Sequence, residues 1–455
     1  MYIKKVVIEN IRSISHFEME FKEPAGWHVL IGDNGSGKTS VLQAMALGVL
    51  GQNNVPVLRI SVVSWIKHGI DKARIRLKIE RDKKFDDIGD GMPDFEFIES
   101  VSLLGGARDV KVSGKHGLIR DMHISASFTT DTFTDDDRQH KFNWNTAGWF
   151  SIGFGPFRQF TGGNRDGYKL YDSNPKVAAH LSLYGENIAL TEALVWLEEL
   201  DNRRLREKEK KEIQGVQEPE TDYVYESANI LFAIKKFINN TKLLPNNAQF
   251  DFIDLDGEPV FKEPNGMQIK VSQMSNGYQS ILGLAFELIR QLVRVYGAKA
   301  VFADIEKDNI QIPLPGVVLI DEIDAHLHPT WQTRIGHWFT QYFPNLQFIV
   351  TTHSPLICRA CEKGSIWRLA APGSEELSGE ITGIDKDRLI YGNILDAYGT
   401  EVFGSDPVRS KQSHDKLERL GRLNMLSVLG KIKPEEEKER RKLQKILATD
   451  DPTGF

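Results

Sequence analysis

Cysteine is almost missing from this 455-residue chain, which holds two, Cys358 and Cys361. Two thiols cannot make a disulfide framework, and a structural zinc site needs four ligands. The CRAC at 358–361 therefore reads as two buried thiols on one helix face, in a reducing compartment. An excess of positive charge is also lacking: 57 Lys+Arg against 63 Asp+Glu leave −6. That excludes a basic coat binding nucleic acid through bulk charge and confines any such binding to a local patch. No run of about 18 apolar residues could span a bilayer, and MYIKKVVIEN lacks the apolar core and cleavage site of a signal peptide. The expectation is a soluble cytoplasmic protein with no membrane attachment. No heptad pattern persists over several repeats, which excludes a long coiled-coil arm, and no internal repeat is visible. What remains is ordinary globular composition, 40% hydrophobic and 26% charged, long enough for two or three domains of about 150 residues each.

Along the chain, Ile3 to Ile8, His16 to Phe21 and Trp27 to Ile31 read as strands, the last ending at a glycine-rich turn. An apolar-periodic helix follows over about Thr39 to Leu50. Ser61 to Ile79 looks β-like, and Phe85 to Ser127 reads as an irregular β-rich insert. Residues 129–141, TTDTFTDDDRQHK, are expected to form an exposed loop whose Asp135 to Asp137 cluster is solvated rather than metal-binding. Residues 189–213 and Tyr225 to Phe237 form a helical hairpin. Its basic run, from Arg203 to Lys211, is interleaved with Glu207 and Glu209, so a solvated face is favoured over a phosphate-binding one. Residues 279–296 are a strongly apolar helix. GVVLI (316–320) and LQFIVTT (346–352) are buried strands of the parallel-sheet kind, and the tail from about Arg409 is helical.

Four segments carry chemistry. Gly32-Asp33-Asn34-Gly35-Ser36-Gly37-Lys38-Thr39 matches G-x-x-x-x-G-K-[ST] between a buried strand and a helix, the context in which backbone N–H groups cradle phosphates. Lys38 would reach the β- and γ-phosphates and the Thr39 hydroxyl would ligate Mg²⁺. VVLIDE (317–322) ends an apolar strand in two carboxylates: Asp321 suits Mg²⁺ and Glu322 suits the orientation or deprotonation of water. His353 follows QFIVTT at the edge of the sheet where ligands collect, positioned to sense a γ-phosphate. Ser275-Asn276-Gly277-Tyr278-Gln279 precedes a long helix and makes a second anion cradle, which implies two surfaces meeting on one nucleotide.

In this order the four segments resemble the ATP-binding-cassette (ABC) ATPases, SNGYQ being similar to the signature S-x-G-x-Q. NIRS at 10–13, GFGPFR at 153–158, DEIDAHLHPTWQ and FPNLQFIVTTHSP are similar to the non-transporter, AAA-family branch with RecF, the overcoming-lysogenisation-defect proteins and the PtuA-type ATPases of Septu and retron systems. The resemblance covers 1–50 and 150–370. It implies an α/β fold: an ABC-ATPase head with a mixed or parallel β-sheet core, an antiparallel β subdomain and a short helical insertion. The parts would be an N-terminal ATPase lobe (1–187), the helical insertion (188–245), a C-terminal lobe with signature, magnesium strand and switch histidine (246–400), and a helical tail (401–455).

It also implies ATP and Mg²⁺ as ligands, and a homodimer or higher homo-oligomer closing head to tail on ATP. Lys38 of one copy would face Ser275 and Gly277 of the other. The nucleotide would be held by Gly32, Asn34, Gly35, Ser36, Gly37, Lys38, Thr39 and Ser40, and across the interface by Ser275, Asn276, Gly277 and Gln279. Glu322, His353 and Lys38 would be catalytic, and Thr39, Asp321 and Gln159 would hold the metal, Gln159 also sensing the γ-phosphate. Asp324 would lie in the dimer-crossing loop. For Arg12, a nucleotide contact and a surface role stand side by side. His326 and His328 fall in the family's structural loop and are read as such.

Gly277 to Asp321 is longer than in transporter cassettes, VFADIEKDNIQIPLP being the extra segment, and no Glu followed by Asp-x-Asp marks a Toprim nuclease. The expected function is an ATPase acting as the sensing or regulatory subunit of a bacterial anti-phage system with a separate effector nuclease of HNH type. A RecF-like repair ATPase that clamps DNA is the first alternative, and a transporter subunit the second. The helical tail is a candidate docking element.

Overall fold

A computed structural model describes residues 1–58, 60–89, 94–109, 123–134, 139–140, 146–156, 173–185, 191–213, 226–244, 247–307, 309–374, 377–392 and 411–446. Gln159, the Asp135 to Asp137 cluster, and Phe157 and Arg158 of GFGPFR lie outside them. The chain divides into two compact units, Met1–Ile394 and Leu395–Phe455.

The first unit opens with β1 (Tyr2–Ile11), β2 (Ile14–Glu20), β3 (Gly26–Ile31) and α1 (Lys38–Leu50). Next come β4 (Lys72–Glu80), β5 (Phe97–Asp109), β6 (His123–Thr134), β7 (Gln139–His140) and β8 (Ser151–Phe154). The helices α2 (Thr191–Ile213) and α3 (Glu226–Asn240) lead to β9 (Gln249–Ile253), β10 (Pro259–Lys262) and β11 (Gln268–Lys270). After α4 (Asn276–Tyr296) come β12 (Gly316–Ile320), α5 (Ile335–Tyr342), β13 (Leu346–Thr351), β14 (Ser365–Arg368), β15 (Gly379–Ile381) and α6 (Gly383–Tyr391). The second unit is described by α7 (Lys411–Val428) and α8 (Pro434–Ile446), joined by an ion pair from Arg419 to Glu439 at 2.8 Å.

Two six-stranded sheets dominate. One runs β2-β1-β4-β5-β6-β7 and is antiparallel; the other runs β15-β14-β3-β13-β12-β8, with β14, β3, β13, β12 and β8 parallel. A three-stranded sheet, β11-β10-β9, precedes α4. The reason for the two kinds is legible residue by residue. β4 alternates, KARIRLKIE, burying Ala73, Ile75, Leu77 and Ile79 while Lys and Arg face out, as a sheet with one wet face requires. GVVLI of β12 and LQFIVT of β13 are buried at every position, as central parallel strands covered on both faces must be.

Helix α1 touches strands of both large sheets, and 12 of its residues, all but Thr39, are buried. It is therefore apolar all round rather than amphipathic. Each of its fully buried Leu, Val and Met side chains contributes roughly 1.5–3 kcal/mol, so Leu42→Ala would cost about 2–5 kcal/mol.

The loop expected at 129–141 is overturned at both of its described ends, Gln139–His140 being β7, paired with Phe133 and Thr132. Thr129–Thr134 belong to β6, with Thr132 opposite Ser100 and buried. Threonine is β-branched and fits the pleat, so T-T-D-T-F-T reads as strand alternation once β5 supplies a partner. The β-like stretch from Ser61 is likewise shortened: Val62–Trp65 is a 3₁₀ turn and the strand starts at Lys72, after Gly69 at φ +83°. Cys358 and Cys361 are both buried and free, in a 3₁₀ segment (Pro355–Lys363) kinked at Cys361 rather than on a regular helix face.

Candidate functional site

The parallel sheet brings three of the four segments together. β3 runs into the phosphate loop, its neighbour β13 runs into His353, and β12, next to β13, runs into Asp321 and Glu322. All three strands point the same way, so the loops collect at one edge.

Gly32, at φ +154°, is the residue the turn cannot replace: a Cβ there would lie 2.3 Å from the Leu369 carbonyl oxygen. Lys38 is buried and donates to the carbonyls of Gly32 and Asp33 at 2.8 and 3.0 Å. Burial lowers its affinity for the proton, and Asp321, Glu322, Asp33 and Asp324 oppose that fall. The buried Ser36 Oγ has no hydrogen-bond partner, an unmet donor inside the turn. Thr39 Oγ1 donates to Asp321 Oδ2 at 2.7 Å, joining the phosphate loop to the magnesium strand across 282 positions of sequence. These hard oxygens, the unmet hydroxyl and the lysine fit a Mg²⁺-bound triphosphate. Two protein oxygens suffice, since Mg²⁺ keeps most of its shell as water and phosphate. No cluster of three or more His, Cys, Asp or Glu able to hold a metal occurs among the described residues.

Thr351 is a residue that the sequence pattern did not single out. Its buried hydroxyl donates to Asp321 Oδ1 at 2.5 Å and accepts the Glu322 N–H at 2.7 Å, fixing both carboxylate residues with one side chain. Glu322 itself sits in the left-handed region at φ +46°, uncommon outside glycine and typical of residues held in place for function. One position on, Thr352 Oγ1 donates to Asp324 Oδ1 at 2.5 Å and accepts the Ser354 N–H at 2.9 Å. Ser354 Oγ donates to Gln332 Oε1 at 2.6 Å. The only hint in sequence was a hydroxyl pair where a buried strand ends. His353 is held below its ordinary pKa by burial and by Lys38, while Asp324, Glu322 and Asp321 pull the other way. Its imidazole is therefore neutral at neutral pH.

Arg12, at φ +49°, braces α1. It donates to Ser40 Oγ at 3.2 Å and Gln43 Oε1 at 2.9 Å, and its guanidinium lies 4.1 Å from the centre of the Trp65 ring. Burial lowers its pKa, so a purely solvated role does not describe it.

The signature turn is built differently. Ser275 is the N-cap of α4, yet its side chain makes no capping bond, and Ser275 and Asn276 are exposed. The Gln279 amide donates to the Met274 and Ser272 carbonyls at 2.9 and 3.2 Å, so it shapes the turn from within. Gly277 lies against the loop after the magnesium strand; a Cβ there would be 2.7 Å from the His326 carbonyl oxygen. His326 has φ +65°, and the His328 side chain accepts the Thr330 N–H to cap a short helix, both structural duties.

Residues 1–87 match the model of the AAA ATPase domain, and residues 187–359 match that of an AAA domain described as putative AbiEii toxin, Type IV TA system. Both matches are to ATPase domains of the AAA type, which this chain resembles over those two stretches. The chain is similar to Septu protein PtuA of Bacillus mycoides, 25% identical over 80% of this chain and 40% of that protein. It is also similar to the Retron Ec83 probable ATPase of Escherichia coli, 39% identical over 24% of this chain and 18% of that one. The chain thus spans two fifths or less of the length of either. Among solved structures, an Smc head bound to the C-winged helix domain of ScpA is similar at 17% identity and a TM-score of 0.45, covering 85% of this chain and 99% of that one. No helix among the described residues is long and apolar enough to cross a membrane.

Proposed function

We propose that this ATPase hydrolyses ATP at sites shared between two copies of the chain, with turnover controlling a separate effector nuclease in bacterial defence. The observation that carries the reading is the contrast within the site. Lys38, Thr39, Asp321 and Glu322 are braced around one loop, whereas the Ser275 hydroxyl, in a second anion cradle, is exposed and not spent on its own helix.

In this reading Gly32, Asn34, Gly35, Ser36, Gly37 and Ser40 surround the phosphates with N–H and hydroxyl donors, and Lys38 leaves its loop carbonyls for the β- and γ-phosphates. Thr39 and Asp321 hold Mg²⁺, which when bound neutralises developing phosphate charge. Glu322 orients water in line with the γ-phosphorus and accepts its proton, and neutral His353 hydrogen-bonds the γ-phosphate. Ser275 and Gly277 of the second copy supply donors to the same phosphate, and Asp324 lies where the copies cross. Arg12 positions Ser40, and Gln159 remains the proposed metal-sensing glutamine. The likeness to PtuA and to retron ATPases supports the defence role, and an effector of HNH type and contact with DNA belong to the same proposal. The N-terminal lobe, helical hairpin, C-terminal lobe and tail are its proposed working parts.

The test is the Glu322→Gln variant. It keeps ATP and loses turnover by about a hundredfold or more, and light scattering finds its mass doubled with ATP and not without. Turnover at the parental rate would remove Glu322 as the base, and a mass indifferent to ATP would remove the sandwich.

A further inference from the structure

The switch histidine is set among hydrogen bonds that lead away from the phosphate loop. Thr352 and Ser354 flank His353, and both are buried. Thr352 Oγ1 donates to Asp324 Oδ1, and Ser354 Oγ donates to Gln332 Oε1 at 2.6 Å. The other end of the same amide is bonded as well: Gln332 Nε2 donates to the Leu327 carbonyl at 2.9 Å. Leu327 in turn gives its N–H to the Asp324 carbonyl at 3.0 Å. Gln332 thus ties the segment that carries His353 to the loop after the magnesium strand. Only an amide can do this at one position, since a carboxylate could accept from Ser354 but not donate to Leu327, and an apolar side chain could do neither.

That loop closes on the signature turn. The carbonyl of His326, one residue before Leu327, would lie 2.7 Å from a Cβ at Gly277, so loop and turn have no clearance and a shift of one displaces the other. The Tyr278 and Trp331 rings meet edge to face with centroids 6.4 Å apart, and Trp331 directly precedes Gln332. A contiguous chain of bonded and packed groups therefore runs from both neighbours of His353, through Gln332, to the turn that starts α4.

We propose that Gln332 is a positioning residue that couples the two ATP sites, passing the occupancy of a chain's own phosphate loop to its own signature turn. The inference rests on the shared-site reading, in which that turn grips the nucleotide of the other copy. A γ-phosphate that engages His353 draws on Thr352 and Ser354; Gln332 carries the shift to the Leu327 carbonyl, and His326 carries it to Gly277.

The test uses the full-length Ser275→Arg chain. Ser275 makes no capping bond, so its replacement leaves the turn intact while the larger side chain blocks the sandwich, and ATP can act on the signature only through the chain that binds it. Amide hydrogen exchange is followed by mass spectrometry with and without ATP. ATP is expected to slow exchange in the phosphate loop and also, by about fivefold or more, in the signature turn. Adding Gln332→Leu is expected to keep the first effect and abolish the second, whereas a mere brace would alter the signature equally with and without ATP. Should Gln332→Leu lose its far-ultraviolet signal, Gln332→Glu, which keeps the Ser354 bond and loses the Leu327 bond, is read in its place with the same expectation. Protection of the phosphate loop without the signature, or signature protection that survives the variant read, would overturn the inference and leave the ATPase reading standing. Protection of neither would overturn both.

Discussion

The phosphate-loop half of the site and the signature half are opposite in construction. Around the loop the candidate site side chains are tied to their own chain: Lys38 to two carbonyls, Thr39 to Asp321, Asp321 to Thr351. At the signature, Gln279 and Gly277 shape the turn from within, but the Ser275 hydroxyl and the Asn276 side chain face outward. A braced half is ordered on folding, whereas in the proposed dimer the open half would be ordered on closure, when its donors lose water to a nucleotide. One chain therefore holds a preorganised grip and an unspent one.

The contrast can be broken in order of size. Lys38→Ala should be the most damaging to function, lowering ATP turnover by about a thousandfold or more, read as kcat/KM in a coupled phosphate-release assay. A loss under about tenfold would mean that the braced half is not where the phosphates sit.

Acid should act next, and on the braced half. His28 lies on β3, the strand that delivers the phosphate loop; its Nε2–H donates to the Pro24 carbonyl and its Nδ1 accepts from Ser365 Oγ at 2.8 Å. Burial pushes its pKa from 6.5 down to about 4. Folding thus favours the neutral ring, so the stability it confers is complete above pH 6.5 and is lost as pH falls from there towards 4. The full loss is about 3 kcal/mol. Buried His180 is held down to about 4 in the same way, so urea melts between pH 7 and 4 should show the slope of both rings and His28→Gln should remove about half of it; an unchanged slope would place the acid-sensitive group elsewhere.

Thr351→Val and Ser275→Ala sharpen the comparison as a pair. The first strips hydrogen bonds from buried Asp321 and from the Glu322 amide, so it should cost about 1–3 kcal/mol of stability as well as activity. Ser275→Ala should leave the melting temperature within about 2 °C, a few tenths of a kcal/mol for a surface change, while turnover falls severalfold. If both variants lose stability equally, the two halves are not built differently.

Much of this was legible in the residues because the phosphate loop and β12 are local: a buried strand, a turn and a helix state their roles within about 20 positions. The antiparallel strand β6 was not, since its polar Thr129 to Thr134 stretch becomes a strand only against β5, whose pairing no local pattern encodes. Thr351 was missed for a related reason. A threonine ending a buried strand looks like the last β-branched core residue, and its hydroxyl acquires a task only when β12 and β13 lie in register and bring Asp321 beside it.

The most direct test of the shared site is to mix two inactive chains. A Lys38→Ala subunit keeps its signature, and a Ser275→Arg subunit keeps its phosphate loop. Each alone is expected to be inactive, and an equal mixture should recover about a quarter of parental turnover, because half the dimers are mixed and each holds one intact site of two. A mixture no faster than its separate components would contradict the account.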